Sequence, residues 1–294
     1  MIDKSFLVAG GCARSGTTAL AKALNAHPDI FLGSERYLQK FRKGTIEVED
    51  FEKEKFLSDL SERDAGDAAP LPERIGKARF ENMYDDVGAA YDRARFIGDK
   101  VPALGLTYDY LFDRFPGIRV VYIVRNPISV TESYEARRAD ADDRWNRSAK
   151  TAIREWNNSV SKTLECLRAG RPITVVSYEE LFSSLEAFGK LFGALGLDIK
   201  DADQAVLTGL VEEYNESIVS KARERDESLR RQIALQADIA SYRRIVRNHC
   251  ILSGKLAESR VGARGQPSGA KPGKAGARRK SKLAKKRPQA VAAT

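Results

Sequence analysis

SFLVAGGCARSGTTAL, residues 5–20, passes from a short apolar run into glycine and then into a run of helix formers. Residues 5–9 have the length and composition of a buried strand. Gly10 and Gly11 interrupt it, and Gly16-Thr17-Thr18 opens a helical pattern from Ala19 to Asn25. Strand, glycine loop and helix in this order turn backbone N–H groups and a helix N-terminus toward one anion, usually a phosphate. The plainer alternative is an ordinary glycine-containing βα turn.

Spacing narrows the kind of loop. Nucleotide triphosphatases carry G-x-x-x-x-G-K-[ST], with the lysine at the β/γ-phosphates and the hydroxyl on magnesium. Gly11 and Gly16 fall in that register and Thr18 takes the hydroxyl place. Thr17, however, stands where the lysine belongs, and the cation comes earlier, at Arg14. This loop can cradle a 5′-phosphate but lacks the lysine a γ-phosphate needs, which argues against ATP hydrolysis. A second anion site is written farther on. Residues 118–124, IRVVYIV, form a continuous apolar run suited to a central parallel strand buried on both sides. The run delivers Arg125-Asn126-Pro127 and a helix carrying Ser129, Ser133 and Tyr134. Arg125 offers a planar fork to a phosphate dianion, and Ser133 adds a hydroxyl donor from the same side. An arginine closing a strand and a solvated serine are the plainer reading of the same residues.

A basic residue before Ser-Gly-Thr-Thr, with a strand-end arginine and a serine eight residues on, resembles the two phosphate signatures of sulfotransferases that use 3′-phosphoadenosine 5′-phosphosulfate (PAPS). The resemblance covers roughly residues 5–197. It implies an α/β fold: a three-layer αβα arrangement around a central parallel sheet, P-loop NTPase-like, followed by a C-terminal helical segment. It also implies transfer of a sulfuryl group from PAPS, as co-substrate and without a metal, to an acceptor hydroxyl of a carbohydrate, glycolipid or small metabolite. Arg14, Ser15, Gly16, Thr17 and Thr18 would hold the 5′-phosphosulfate, and Arg125 with Ser133 the 3′-phosphate that ATP lacks. Tyr178, in the stretch SYEEL, matches a family tyrosine near the adenine and serves equally as a packing residue. Lys100 matches a family lysine that points at the transferring group, where charge builds on the bridging oxygen. Relatives acting on small phenols and steroids place a histidine base two residues after that lysine. Here Pro102 stands there, and the histidines are His27 and His249. The departure raises Glu35, the first acid after the expected strand at residues 30–32, on the edge where α/β sheets bind ligands. Asp99 is the reserve base. Arg14 and Lys100 would stabilise the leaving group while Glu35 deprotonates the acceptor.

The remaining stretches are read around these motifs. His27, followed by Pro28 at a helix end, reads as structural. Residues 51–60, FEKEKFLSDL, read as an amphipathic surface helix and 64–72 as a loop, both within a charged stretch, 42–92, that would cover the site and shape the acceptor pocket. Residues 103–115 read as a helix, and 137–147 as an acceptor-side loop or lid. Residues 145–167 read as a long helix whose Ile153, Trp156, Val160 and Leu164 are core, and 182–197 as another helix. A charged helical extension follows from Asp201, with packing back on the domain preferred over a coiled coil.

Length allows one large α/β domain with appendages, and 42% hydrophobic residues support a sizeable core. The expected organisation is an α/β domain over 1–200, a helical extension over 201–254 and a disordered basic tail over 255–294. That tail holds twelve Lys or Arg against Glu258, a net +11 beside +9 for the whole chain, so the remainder is near −2. Its cations from Arg278 to Arg287 would attract an anionic membrane surface or nucleic acid, and a solubilising tail explains them as well. Cys12, Cys166 and Cys250 match no metal spacing, which suits a reduced cytoplasmic chain, with Cys12 a small filler. No run approaches the ~18 apolar residues of a membrane helix, and residues 1–11 lack the regions of a signal peptide. The expected location is cytoplasmic, peripheral to the inner membrane face if the tail meets lipid. A P-loop kinase or NTPase and a non-catalytic anion-binding protein acting through the tail are the alternatives.

Overall fold

The run IRVVYIV shows why a central strand needs no polar residue. In β4 (Arg119–Val124), Val120, Tyr122 and Val124 enter one core while Val121 and Ile123 enter the other, all at most 1% exposed. Side chains alternate across a strand, so a strand covered on both faces reads as unbroken apolar sequence.

The computed structural model describes residues 4–58, 86–140, 146–221 and 227–252, all within one compact unit, residues 1–263. The expected loop at 64–72, much of the covering stretch, part of the 137–147 lid and the basic tail lie outside the described residues. β1 (Ser5–Gly11), β2 (Ile30–Ser34), β3 (Phe96–Pro102), β4 and β5 (Ile173–Ser177) form a five-stranded sheet in the order β2-β3-β1-β4-β5, parallel at every pairing. The chain runs from β1 outward to β2, returns to β3, then crosses β1 to reach β4 and β5. The direction of winding reverses there, so the C-terminal ends of β1 and β4 border the crevice in which such sheets bind ligands.

Helices cover both faces. On one, α1 (Thr17–Asn25), α9 (Leu185–Ala194) and α10 (Gln204–Lys221) bury Leu20, Leu24, Phe188, Leu191 and Leu207 against Leu7, Leu32 and Ile123. On the other, α5 (Tyr108–Arg114), α7 (Ala149–Arg168) and α12 (Ile239–Asn248) bury Leu111, Trp156, Val160, Tyr242 and Ile245 against Val8, Tyr122 and Val175. The helices after Asp201 thus join both layers: Tyr214 of α10 donates to the Glu179 carbonyl at 2.8 Å, and the Tyr242 ring lies 5.6 Å from Trp156.

Three expected helices differ in extent. The 103–115 segment is a 3-10 turn at Leu104–Leu106 followed by α5, because Ala103 adopts a left-handed φ of 63° that no helix admits. The long helix begins at Ala149, after the Ser148 cap, and the helix expected from 182 begins at Leu185, after Ser184. Ahead of it, Tyr178–Leu181 forms the one-turn α8.

Residues 51–58 do not form the continuous amphipathic helix expected of them. A 3-10 turn, Val48–Phe51, and a single helical turn, Lys53–Phe56, are separated by Glu52 in an extended conformation. The segment wraps around a buried carboxylate. Asp50, with no side-chain exposure, pairs with Lys40 at 2.6 Å and Lys55 at 2.7 Å and accepts the Glu47 amide at 3.0 Å. Burial alone would push its carboxyl up, but Lys40 and Lys55 outweigh that and hold it below the ordinary carboxylate value. A carboxyl depressed in the folded state contributes stability that is full above its unfolded pKa and drains away as pH falls through the folded one. Asp50→Ala therefore costs about 3 kcal/mol at neutral pH, seen as a lowered Tm, with the deficit shrinking in acid. An unchanged Tm at neutral pH refutes this.

Candidate active site

The loop after β1 turns at Ser15, whose N–H reaches the Cys12 carbonyl at 3.1 Å, and enters α1 through Gly16. No side chain caps α1, and its first backbone bond runs from the Leu20 N–H to the Gly16 carbonyl at 2.9 Å. The amides of the first turn are therefore without intrahelical acceptors, and they converge with the helix dipole on one point. The buried Ser15 hydroxyl also has no protein partner. Gly16 is required twice over: its φ is 88°, and an added Cβ would fall 2.4 Å from the Tyr178 ring. Gly16→Ala is expected to displace the loop and weaken binding of adenosine 3′,5′-bisphosphate by about tenfold or more, since a left-handed Cβ alone costs about 1–2 kcal/mol. Calorimetric titration checks it.

The second arm is built from the end of β4. The Arg125 guanidinium lies over the Tyr178 ring, 4.0 Å from its centroid, and donates to the Arg14 carbonyl at 3.0 Å. The Arg125 carbonyl is held from beneath by the indole N–H of Trp156 at 2.9 Å. Asn126 caps α6 (Pro127–Ala139) through the Ser129 amide at 2.8 Å. Its own backbone and side-chain N–H groups both reach Oε1 of the buried Glu179, at 3.0 and 2.5 Å. Ser133 of α6 accepts from Nε of Arg14 at 3.1 Å. The two arms predicted from separate stretches of sequence are thus one surface, joined by two hydrogen bonds. The buried Nε of Arg125 has no protein partner.

Lys100 and Glu35 meet beside this surface. The Lys100 ammonium, 3% exposed, lies 2.5 Å from Oε1 of Glu35 and 3.5 Å from the Thr18 hydroxyl. The Glu35 amide in turn donates to the Lys100 carbonyl at 3.0 Å. Asp99, the reserve base, is not in this cluster. Alternation along β3 turns it the other way, where it is fully buried and accepts the Tyr37 amide at 3.0 Å. His27 is structural: Nδ1 accepts the Asp29 amide at 3.1 Å, leaving Nε2 to donate to the Asp198 carbonyl at 3.2 Å.

A cavity of about 790 Å³ opens from the phosphate loop, with Arg14, Thr17, Thr18 and Glu35 on its wall. Among the described residues, the non-glycine positions with positive φ are Arg14, Glu35 and Ala103, and all three line it. Backbone strain of this kind gathers where a side chain or turn must be held in one place. Cys12 also lines the cavity, but burial pushes its thiol far above the ordinary value, so it is no thiolate nucleophile and remains a filler. The lining also takes in Arg147 and Arg137, the two ends of the stretch read as an acceptor-side loop or lid, with Arg137 lying inside α6, and residues that sequence reading did not single out: Arg42 of α2 (Leu38–Lys43), and Arg154, Glu155 and Asn158 of α7. Glu155 accepts from the Tyr134 hydroxyl at 2.8 Å and from Arg147 at 2.7 Å. Their signal was available. The same helical periodicity that marks Ile153, Trp156 and Val160 as core leaves Arg154 and Asn158 on one other face.

Comparison with known proteins agrees with this geometry. A profile described as "Sulfotransferase family" matches residues 7–201. Protein-tyrosine sulfotransferase 1 of Danio rerio is 24% identical over 181 residues, covering 61% of this chain. The chain spans about half the length of that relative, 49%. A crystal structure of a sulfotransferase from Alicyclobacillus acidocaldarius shares the fold, with a TM-score of 0.52 at 18% identity over 86% of this chain and 98% of that one. The sulfotransferase domain of the olefin synthase of Synechococcus PCC 7002 is 18% identical, with a TM-score of 0.47 over 91% of each chain. A family match that spans most of the chain and takes in both the loop after β1 and the arm after β4 assigns it: this chain belongs to the sulfotransferase family.

Proposed function

We propose that this chain moves a sulfuryl group from PAPS to an acceptor hydroxyl, leaving adenosine 3′,5′-bisphosphate. The observation that carries the reading is the direct linkage of the two arms, Arg14 to Ser133 at 3.1 Å and Arg125 to the Arg14 carbonyl at 3.0 Å. One ligand with two separated phosphates suits such a surface. The buried Ser15 hydroxyl and Arg125 Nε, which have no protein partner, are donors left over within the same two arms.

In this reading Arg14 and the amides of Ser15–Thr18 take the 5′-phosphosulfate, and Arg125 with Ser133 takes the 3′-phosphate. Tyr178, beneath the Arg125 guanidinium, supports the nucleoside end. Attack of the acceptor oxygen on sulfur forms one S–O bond and breaks that to the 5′-phosphate, whose oxygen keeps the electron pair. Lys100 stabilises the charge growing on that oxygen, and the acceptor proton passes to the Glu35 carboxylate. The acceptor would be a carbohydrate, glycolipid or small metabolite.

We propose a cytoplasmic location on the cysteine usage, with Cys12, Cys166 and Cys250 all free thiols. The basic tail would be the part that meets an anionic surface.

Titrating the full chain with adenosine 3′,5′-bisphosphate and with ATP tests the donor reading. Tight binding of the bisphosphate and weak binding of ATP is the expected result. Preference for ATP, or binding of neither, overturns it.

A further inference from the structure

We propose that the acceptor carries an acid group next to an apolar body, and that Arg42 and Arg154 select it. This rests on the donor reading above and adds the chemistry of the second substrate. Among the described residues, five arginines line the cavity, Arg14, Arg42, Arg137, Arg147 and Arg154, against two carboxylates, Glu35 and Glu155. Both carboxylates are engaged by cations: Glu35 by Lys100 at 2.5 Å, Glu155 by Arg147 at 2.7 Å. Arg14 and Lys100 serve the donor. Arg42 and Arg154 are exposed and make no ion pair among the described residues.

No described carboxylate pairs with either one, so both present positive charge on a concave wall, which favours an anion that enters. The donor is itself a polyanion, so an anionic acceptor would be repelled from it unless cations of this kind stood alongside. A neutral acceptor would gain less from two guanidinium groups, whose planar forks match carboxylate or phosphate oxygens. Part of the remaining lining is apolar, Leu38, Pro102 and Leu106 beside the polar Thr17, Thr18, Asn158 and Ser159, and Leu106 is 57% exposed. Covering it on binding adds a hydrophobic contribution that a purely polar acid would not collect.

The test uses the full chain saturated with adenosine 3′,5′-bisphosphate and three phenols of matched shape: 3-(4-hydroxyphenyl)propionate, its amide, and 2-(4-hydroxyphenyl)ethyl phosphate. Calorimetry is expected to show either acid binding about tenfold or more tighter than the amide. A preference confined to the propionate or to the phosphate identifies which acid the wall takes, and supports the proposal either way. The preference should collapse in the Arg42→Gln/Arg154→Gln double variant, and shrink as NaCl rises from about 0.05 M to about 0.5 M. Bisphosphate affinity should be unchanged in the double variant, which also shows that it is folded. Equal binding of acids and amide, a preference that survives the double variant, or binding of none of the three overturns the proposal. Failure of the wild-type chain to bind the bisphosphate instead overturns the donor reading beneath it.

Discussion

Glu35→Gln lowers kcat by about 10²–10⁴-fold and leaves the affinity for adenosine 3′,5′-bisphosphate unchanged. The fold-change is the usual share of a positioned general base. The substitution is chosen to separate proton transfer from placement. Glu35 sits at a left-handed φ of 62° with its backbone N–H donating to the Lys100 carbonyl, and this hydrogen bond survives the change. Glutamine keeps the length of the side chain and can still accept a hydrogen bond from Lys100, but it cannot take a proton from an acceptor. A single-turnover measurement with labelled PAPS reads the chemical step directly. Unchanged turnover would remove the base role from Glu35. Asp99 would not inherit it, since that carboxylate is buried against Tyr37 and away from the cavity.

Arg125→Ala weakens bisphosphate binding by about 3 kcal/mol, more than a hundredfold in Kd. Two losses combine. The phosphate is left without its charged fork, and Arg14 loses the donor on its carbonyl that ties the loop to the arm. Arg125→Lys recovers only part of the binding, because a point charge reproduces neither the fork nor the stacking over Tyr178. ATP, with no 3′-phosphate, should bind the wild type and Arg125→Ala about equally weakly. A bisphosphate titration that barely distinguishes wild type from Arg125→Ala would refute the second phosphate site.

The loop at 5–20 and the Arg125–Ser133 pair were legible in the sequence because each lies within one strand-to-helix junction, where spacing fixes direction. Glu35 was legible for a related reason: the first acid after a parallel strand emerges at the ligand-bearing edge. Asp50 was not. Its environment is assembled from Lys40, Lys55 and the Glu47 amide around a turn, and no period of 3.6 encodes a buried carboxylate. The left-handed Ala103 was hidden for the opposite cause, since an alanine gives a strong helix signal that tertiary packing overrides. Of the arginine wall, the 137–147 stretch was legible as an acceptor-side segment, but Arg42 and Arg154 escaped because they come from α2 and α7, far apart in sequence. Only the folded sheet brings their ends to one cavity.

Helix α7 has two duties on two sides. Its inward side carries Trp156, which grips the Arg125 carbonyl, while Arg154 and Asn158 look into the cavity. On the proposed reading, donor binding and acceptor choice would draw on different sides of a single rod. The outward positions can be rewritten to suit a new substrate while the nucleotide grip stays anchored in the core, which makes α7 the natural place to retarget this scaffold.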